Sequence, residues 1–351
     1  MTREPATTPA TRPDGSAGDG PDLDAVRTYA PAAATLAVLA VGWFAAMLWS
    51  ARAEIQAAEV GAIAITLAAN ALPVVVAAAL VTGAAAALVV ANLLTRRGVL
   101  RPTPRFTATT ATGLVVGVLG ALVVTMSFSA GSVSMVLAGT TAAAATVGGA
   151  VAGTRATAAV GALVSAALAV FAVVLVLSLF NGQLLSLFGA GETQVSQFNA
   201  ARWVSRLASL TAGLVAGLVA FGYLRRAHRR AAAPDLRWPA YLLAGAGPGL
   251  VLLVTEVIIR VGGGSVLNLA GALSEADGIA QRVLSGSRID HAIGVLFVGA
   301  LTTLIVFGRT LGPRPDDEDP TDDENPADDG DEDAPVDRQP SGAEPAADLP
   351  R

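Results

Sequence analysis

Residues 241–264 read YLLAGAGPGLVLLVTEVIIRVGGG, an apolar stretch with only two charged side chains, Glu256 and Arg260. About 20 consecutive apolar residues are enough to cross the hydrocarbon core of a bilayer as a helix. The stretch therefore predicts a transmembrane helix. Its two charges need an explanation, because a charged side chain at the bilayer centre costs about 2.5–3.5 kcal/mol even on the insertion scale.

The two charges share one helical face with two glycines. At 3.6 residues per turn, Gly245, Gly249, Glu256 and Arg260 fall on the same side. Gly245 and Gly249 form a GxxxG pair, which lets a neighbouring backbone approach closely, so this face is predicted to contact protein rather than lipid. Glu256 and Arg260 are spaced to pair with each other. The pair is either a structural ion pair or part of a substrate- or ion-binding site in a polar cavity.

The rest of the chain is equally apolar. Hydrophobic residues make up 53% of the sequence and charged residues 15%, and the mean hydropathy is +0.58. Residues 60–95, 106–154 and 156–191 contain no charge at all. We therefore predict an all-α polytopic membrane protein, a bundle of about eight transmembrane helices. The predicted spans are residues 30–50, 72–94, 107–128, 132–153, 156–180, 203–224, 239–260 and 290–311.

The arginines predict the orientation of the bundle. All 23 basic residues are Arg, which is typical of a high-GC bacterium. With the N-terminus inside, eleven of them lie in the cytoplasmic loops, facing one acid, Asp235; the outer segments hold six Arg and seven acids. Positive residues are enriched in cytoplasmic loops. The sequence thus predicts a multi-pass protein of the bacterial plasma membrane with both termini cytoplasmic.

Three regions are predicted from composition. Residues 1–27 are polar and form a disordered cytoplasmic tail without the apolar segment of a signal peptide. Residues 28–312 form the transmembrane domain. Residues 313–351 carry 15 acids and three Arg and form a disordered acidic cytoplasmic tail. The Arg-rich segments NLLTRRGVLRPTP (92–104) and GYLRRAHRRAAAPDLRWP (222–239) also suggest a parallel 4+4 repeat of the spans.

Residues 51–71, 181–202 and 261–288 are predicted to lie outside the membrane. In the first, we expect an interfacial helix, after which Pro73 opens the second span. The other two are either connecting loops or a cap over an outward cavity. Asp290 is expected to cap the eighth span at its N-terminus, next to His291. Asn70 and Asn92 are expected to cap the two ends of the second span.

Further glycines are predicted to serve helix packing: Gly113 and Gly117 in the third span, and Gly213 and Gly217 in the sixth. The chain contains no Cys, and its two His are far apart, so we predict no cofactor and no metal site. No motif of a hydrolase, nucleotide-binding protein or zinc peptidase is present. The expected partners are the lipid bilayer and a protein bound through the acidic tail or the outer segments. No nucleic-acid partner is expected.

Three function classes fit the sequence. The first is a non-catalytic integral membrane protein that scaffolds or regulates cell-envelope machinery. The second is a secondary transporter or lipid-handling permease with a polar site near Glu256. The third is an enzyme that resembles lipid-linked glycosyltransferases, for which Glu54 and Glu59, just outside the first span, are the available acids. The missing motifs disfavour an enzyme, and the first class is preferred over the second.

Overall fold

A computed structural model describes residues 30–56, 61–98, 101–127, 132–154, 156–231 and 238–310. These residues form ten helices and no strand, which confirms the all-α prediction for the described ranges. Both predicted tails, residues 1–27 and 313–351, lie outside these ranges. The helices are α1 (Ala33–Gln56), α2 (Gly61–Arg96), α3 (Pro102–Ser127), α4 (Ser132–Ala152), α5 (Thr157–Leu179), α6 (Asn181–Leu187), α7 (Gln194–Ala231), α8 (Trp238–Gly262), α9 (Gly264–Gly271) and α10 (Glu275–Gly308).

Eight of these helices are long and apolar enough to cross a membrane, namely α1 to α5, α7, α8 and α10. A helix satisfies its backbone hydrogen bonds internally, as a segment surrounded by lipid must. The chain is therefore an integral membrane protein with eight helices able to span the bilayer. Helices α1, α3, α5 and α8 finish at the same end of the bundle, which we call the Glu256 end. The opposite end, with Arg96 and Arg225, is the arginine end.

Helix α2 is the centre of the bundle. It packs against α1, α3 and α4, and also against α5 and α8. Its Ala- and Val-rich sequence lets these neighbours approach on every side, and it is the most buried of the spans. Two polar side chains fasten it to α1. Thr82 donates to the Ala40 carbonyl (3.0 Å), and Asn92 accepts from Ala30 N (3.2 Å) and donates to Ala30 O (2.9 Å). Asn92 thus binds the start of α1, and its expected capping role was wrong.

The contacts among α1 to α4 recur among α5, α7, α8 and α10. In the first set, the neighbouring pairs are α1–α2, α2–α3, α2–α4 and α3–α4. In the second set, taken in chain order, the corresponding pairs are α5–α7, α7–α8, α7–α10 and α8–α10. The second set has one more contact, between α5 and α8. The two sets meet mainly where α2 packs against α5 and α8.

The expectation that Pro73 opens the second span was wrong. Helix α2 begins at Gly61 and contains Pro73 in its interior. Residues 51–56 belong to α1 and residues 61–71 to α2, so a separate interfacial helix does not form there in the described ranges. Packing against neighbouring helices makes proline tolerable inside a membrane helix. With 36 residues, α2 is about 54 Å long and exceeds the roughly 30 Å hydrocarbon core, so it must tilt or project beyond it.

The spans that follow the two longer outer segments also begin earlier than predicted. Helix α7 begins at Gln194 rather than at 203, and α10 at Glu275 rather than at 290. The cap of α10 is Ser274, whose hydroxyl accepts from Asp277 N at 3.1 Å. Asp290 lies inside α10, so its expected role as an N-cap was wrong. The predicted outer segment 261–288 is consequently mostly helical. The early start of α10 places residues 285–291 in this helix, alongside α8.

Candidate functional site

Glu256 is buried in α8 and binds three side chains. It is 5% exposed. Its Oε1 accepts from the Ser285 hydroxyl at 2.7 Å and from Arg260 Nε at 3.3 Å, and its Oε2 accepts from Arg288 Nε at 3.0 Å. Two of these partners, Ser285 and Arg288, come from α10. The i,i+4 pair predicted from the sequence is therefore only one part of a larger cluster that joins two helices.

The two guanidinium groups differ in their surroundings. The side chain of Arg260 is 55% exposed, whereas that of Arg288 is 26% exposed. An ion pair exposed to solvent contributes little, about 0–1 kcal/mol, so the Arg288 contact matters more for Glu256. One carboxylate faces two guanidinium groups, and the cluster formed by these three side chains carries a net charge of +1.

A cavity of about 470 Å³ ends at this cluster. Its walls come from α1, α2, α5, α7, α8 and α10, so both sets of four spans contribute to it. Most of the lining is apolar, from side chains such as Met47, Val74, Val174, Leu175 and Leu252. Glu256, Thr255, Ser287, Arg288 and His291 supply polar groups. The volume is in the range of protein cavities that hold drug-sized ligands.

Three residues that line the cavity carry buried polar atoms without a hydrogen-bond partner in the described protein. They are Trp43 Nε1, Thr255 Oγ1 and Arg288 Nη2. Thr255 is 3% exposed, and Trp43 stacks on Phe171 with ring centroids 5.7 Å apart. Buried polar atoms are nearly always paired in native proteins. The residues that line the apolar cavity therefore carry hydrogen-bonding groups that the described protein does not use.

His291 connects the cavity to α7. Its Nδ1 lies 2.8 Å from the Ser209 hydroxyl, and its ring lines the cavity together with Ser205. The neighbouring Asp290 is exposed, whereas His291 is partly buried. Within the described ranges, no three His, Asp or Glu side chains form a group that could hold a metal ion.

A second, more polar pocket of about 370 Å³ lies on the other side of Arg288. Asn268, Gln281, Arg282 and Ser285 line it, and Arg288 lines both this pocket and the apolar cavity. Gln281 also donates to Asn70 Oδ1 at 3.3 Å, so Asn70 contacts α10 rather than capping α2. Arg288 thus stands at the boundary between an apolar and a polar space.

The six glycines predicted for packing all lie against another helix. A Cβ added to any of them would come within 3.0 Å of a neighbouring helix. The nearest neighbours are Ala145 for Gly113, Ala142 for Gly117, Val298 for Gly213, Gly299 and Thr302 for Gly217, Gly299 and Thr303 for Gly245, and Leu296 for Gly249. Close packing of α8 on α10 at Gly245 and Gly249 brings Glu256 within reach of Arg288.

Sequence reasoning missed Arg288, Ser285 and Trp43 as parts of the site. Arg288 and Ser285 were assigned to an outer segment because the start of α10 was placed at 290. The sequence Ser-Glu-Ala-Asp at 274–277 is a capping-box pattern that could have located this helix start. Glu54, one of the two acids considered for an enzyme, is exposed and accepts from the Ser50 hydroxyl at 3.3 Å. Glu59 lies outside the described residues.

Comparisons with known proteins do not assign the chain to a family. No protein-family model matches the chain, and neither the curated proteins nor the solved structures contain a match to it.

Proposed function

We propose that this membrane protein binds an amphipathic, lipid-like molecule in the cavity beside Glu256 and moves it as a lipid-handling permease. The observation that carries the proposal is the cavity itself, an apolar space that ends at an ion cluster with unpaired donors. A hydrocarbon chain would lie against Val74, Val174 and Leu252, and a polar headgroup would lie near Arg288. Apolar walls with a few placed polar groups are the usual composition of a ligand site.

The position of the cavity supports a transport role. Helices α1 and α2 of the first four spans and α5, α7, α8 and α10 of the last four line it together. Many transporters bind their substrate between two structurally related sets of helices. We further propose, from the arginine distribution, that both termini are cytoplasmic in a bacterial plasma membrane. The Glu256 end then faces the outer side, where the cavity would exchange lipid with the outer leaflet.

The scaffolding function preferred from the sequence stays a prediction. A scaffold requires packed helices and segments that bind a partner. It does not require a cavity with unpaired donors. A protein partner bound by the acidic tail is likewise a prediction, because residues 313–351 lie outside the described ranges. The cavity therefore favours the permease over the scaffold.

Lipid binding is tested by filling the cavity. Ala208 lines the cavity from α7, whereas Leu210, two residues along the same helix, is exposed on the outside of the bundle. We expect Ala208→Trp to reduce the lipid that remains bound to the purified protein in native mass spectrometry, and Leu210→Trp to leave it unchanged. Equal lipid retention by both variants and the parent protein would overturn lipid binding in this cavity.

Movement of lipid is tested separately in reconstituted vesicles. The parent protein is expected to speed the transfer of a fluorescent phospholipid between leaflets, measured by chemical quenching of the outer leaflet. Ala208→Trp should slow this transfer towards the rate of protein-free vesicles. A parent protein no faster than empty vesicles would refute the permease while leaving binding intact.

A further inference from the structure

The helix contacts in the two sets of four spans match residue by residue. Gly113 in α3 meets Ala145 and Gly149 in α4, and Gly117 meets Ala142. Gly245 in α8 meets Gly299 and Thr303 in α10, and Gly249 meets Leu296. The spacing within each helix is the same in the two sets. Gly83 in α2 likewise meets the Ala145 carbonyl, as Gly217 in α7 meets that of Gly299. These contacts align α2 with α7, α3 with α8 and α4 with α10, each without gaps.

Counted along the aligned helices, the charged cluster has apolar or small counterparts. Glu256 corresponds to Val124, and Arg288 corresponds to Ser134. The hydrogen-bonded pair His291 and Ser209 corresponds to Leu137 and Val75. Val124, Leu137 and Val75 belong to a hydrophobic core that α1 to α4 share with α5 and α8, and Val124 is fully buried.

The four-span unit consequently packs without a charged cluster at these positions. In the first set, Val124, Leu137 and Val75 are buried and no carboxylate has to be neutralised at these positions. A cavity of about 420 Å³ lined by Gly120 and Val123, the counterparts of Leu252 and Thr255, and by Arg52 is also present there. A cavity therefore occurs in both sets, whereas the Glu256–Arg288 pair has no counterpart. Charged groups inside a membrane protein are costly and most often functional. The cluster in the second set is therefore best explained by a ligand rather than by the needs of helix packing.

The charges of the cluster indicate which ligand it takes. Glu256 neutralises one of its two arginines, which leaves one positive charge, and Arg288 Nη2 is buried without a partner. The pocket beyond Arg288 adds the guanidinium of Arg282, with Asn268 and Gln281 as further polar groups. An arginine favours phosphate or carboxylate oxygens, which accept two of its N–H groups. The apolar cavity on the other side of Arg288 suits a hydrocarbon chain.

We propose that the chain is a parallel duplication of a four-span unit, and that its second copy has gained a headgroup site for an anionic phospholipid at Glu256, Arg288 and His291. The phosphate binds Arg288 from the polar pocket, and one acyl chain enters the cavity. Ser285 and Glu256 hold the Arg288 side chain in place. This proposal rests on the proposed function, since it names the lipid class that the cavity binds.

The test exchanges the cluster for its counterparts in the first copy. The triple variant Glu256→Val, Arg288→Ser and His291→Leu is compared with the parent protein and with Arg206→Ser. Arg206 is an exposed arginine on α7 that does not line the cavity, and it serves as the matched control. Each protein is offered an equimolar mixture of phosphatidylglycerol and phosphatidylcholine with identical acyl chains. Native mass spectrometry then measures which lipid stays bound.

The parent protein and Arg206→Ser are expected to retain phosphatidylglycerol over phosphatidylcholine by roughly tenfold, the effect of one charged hydrogen bond. The triple variant is expected to bind both lipids equally while eluting as a folded protein. Should it fail to fold, Arg288→Gln removes the charge but keeps an N–H group for Glu256, and it too should lose the preference. A preference that survives either exchange overturns the headgroup site.

The outcomes separate the two proposals. Equal binding of both lipids by the parent protein overturns the anionic headgroup and leaves lipid binding in the cavity standing. Retention of neither lipid by the parent protein overturns both. An unfolded triple variant, together with an unstable Arg288→Gln, would show that the cluster serves packing, against the duplication argument.

Discussion

The Glu256 cluster predicts strong coupling between the effects of two substitutions on stability. Glu256→Val removes the carboxylate that contacts both Arg260 and Arg288. Arg260 is 55% exposed and can turn to solvent, so its loss of a partner costs little. Arg288 is 26% exposed and keeps a charge in a mostly enclosed place. Breaking a buried pair by removing one partner costs about 3–5 kcal/mol. Because Arg288 is partly exposed, we expect the lower end, about 3 kcal/mol, from the same estimate.

Adding Arg288→Ser to Glu256→Val should restore much of that stability. The double variant carries the Val and Ser found at the corresponding positions 124 and 134, and replacing a whole buried pair is often close to neutral. We expect it to lie within about 1 kcal/mol of the parent protein. The coupling between the two sites is then about 2 kcal/mol plus whatever Arg288→Ser costs alone, so it is at least about 2 kcal/mol.

The assay is equilibrium unfolding in mixed micelles of dodecyl maltoside and sodium dodecyl sulfate, followed by the fluorescence of the four tryptophans. The parent protein, both single variants and the double variant complete a double-mutant cycle. Arg260→Ser is the matched control and should cost at most about 1 kcal/mol. A double variant as unstable as the sum of its single variants would refute the reasoning, because the charge of Arg288 would then not be what destabilises Glu256→Val.

Three further predictions concern packing, anchoring and orientation. Gly249→Ala should destabilise the bundle by about 1–3 kcal/mol, since its Cβ would meet Leu296; Gly222→Ala, which meets nothing within 4 Å, should be neutral or stabilising in the same unfolding assay. Asn92→Leu removes two hydrogen bonds to Ala30 and should lower the free energy of unfolding by about 1–3 kcal/mol. Amide hydrogen exchange at the start of α1 should be faster than in the parent protein. Unchanged exchange would contradict the role of Asn92 in holding the start of α1. Because the chain has no Cys, Arg226→Cys and Gln183→Cys can be labelled singly in intact cells. An impermeant maleimide should reach position 183 but not 226, and the reverse pattern would invert the proposed orientation.

The fold could be predicted from the sequence because lipid imposes a strong constraint on it. Charge-free stretches of 36 and 49 residues predict membrane helices. About eight spans were predicted, and eight helices of the structure are long and apolar enough to cross a membrane. The helix ends were harder to predict. Pro73 was expected at a helix start because proline lacks an N–H. Helix α2 is nevertheless continuous across Pro73, where neighbouring helices pack around it. Ends outside the apolar core depend on local caps such as Ser274, which hydropathy does not detect.

The candidate site was only partly predictable for the same reason. Glu256 and Arg260 stand out within one apolar stretch, and their spacing suggested a pair. Arg288 is 32 residues from Glu256 along the chain, and only the packing of α8 on α10 brings them together. Trp43 joins the site through α1, far away in sequence. Contacts between distant helices depend on how the bundle assembles, and a single sequence does not show that.

The central claim, that an anionic phospholipid binds beside Arg288 with a chain in the cavity, is tested most directly by photocrosslinking. Phosphatidylglycerol with a diazirine near the end of one acyl chain is irradiated with the reconstituted protein, and the labelled peptides are identified by mass spectrometry. We predict labels on the cavity walls, at residues 170–175 and 252–259, that disappear in Ala208→Trp. Labels confined to outward-facing side chains, such as Leu114 and Val118 on α3, would contradict the account.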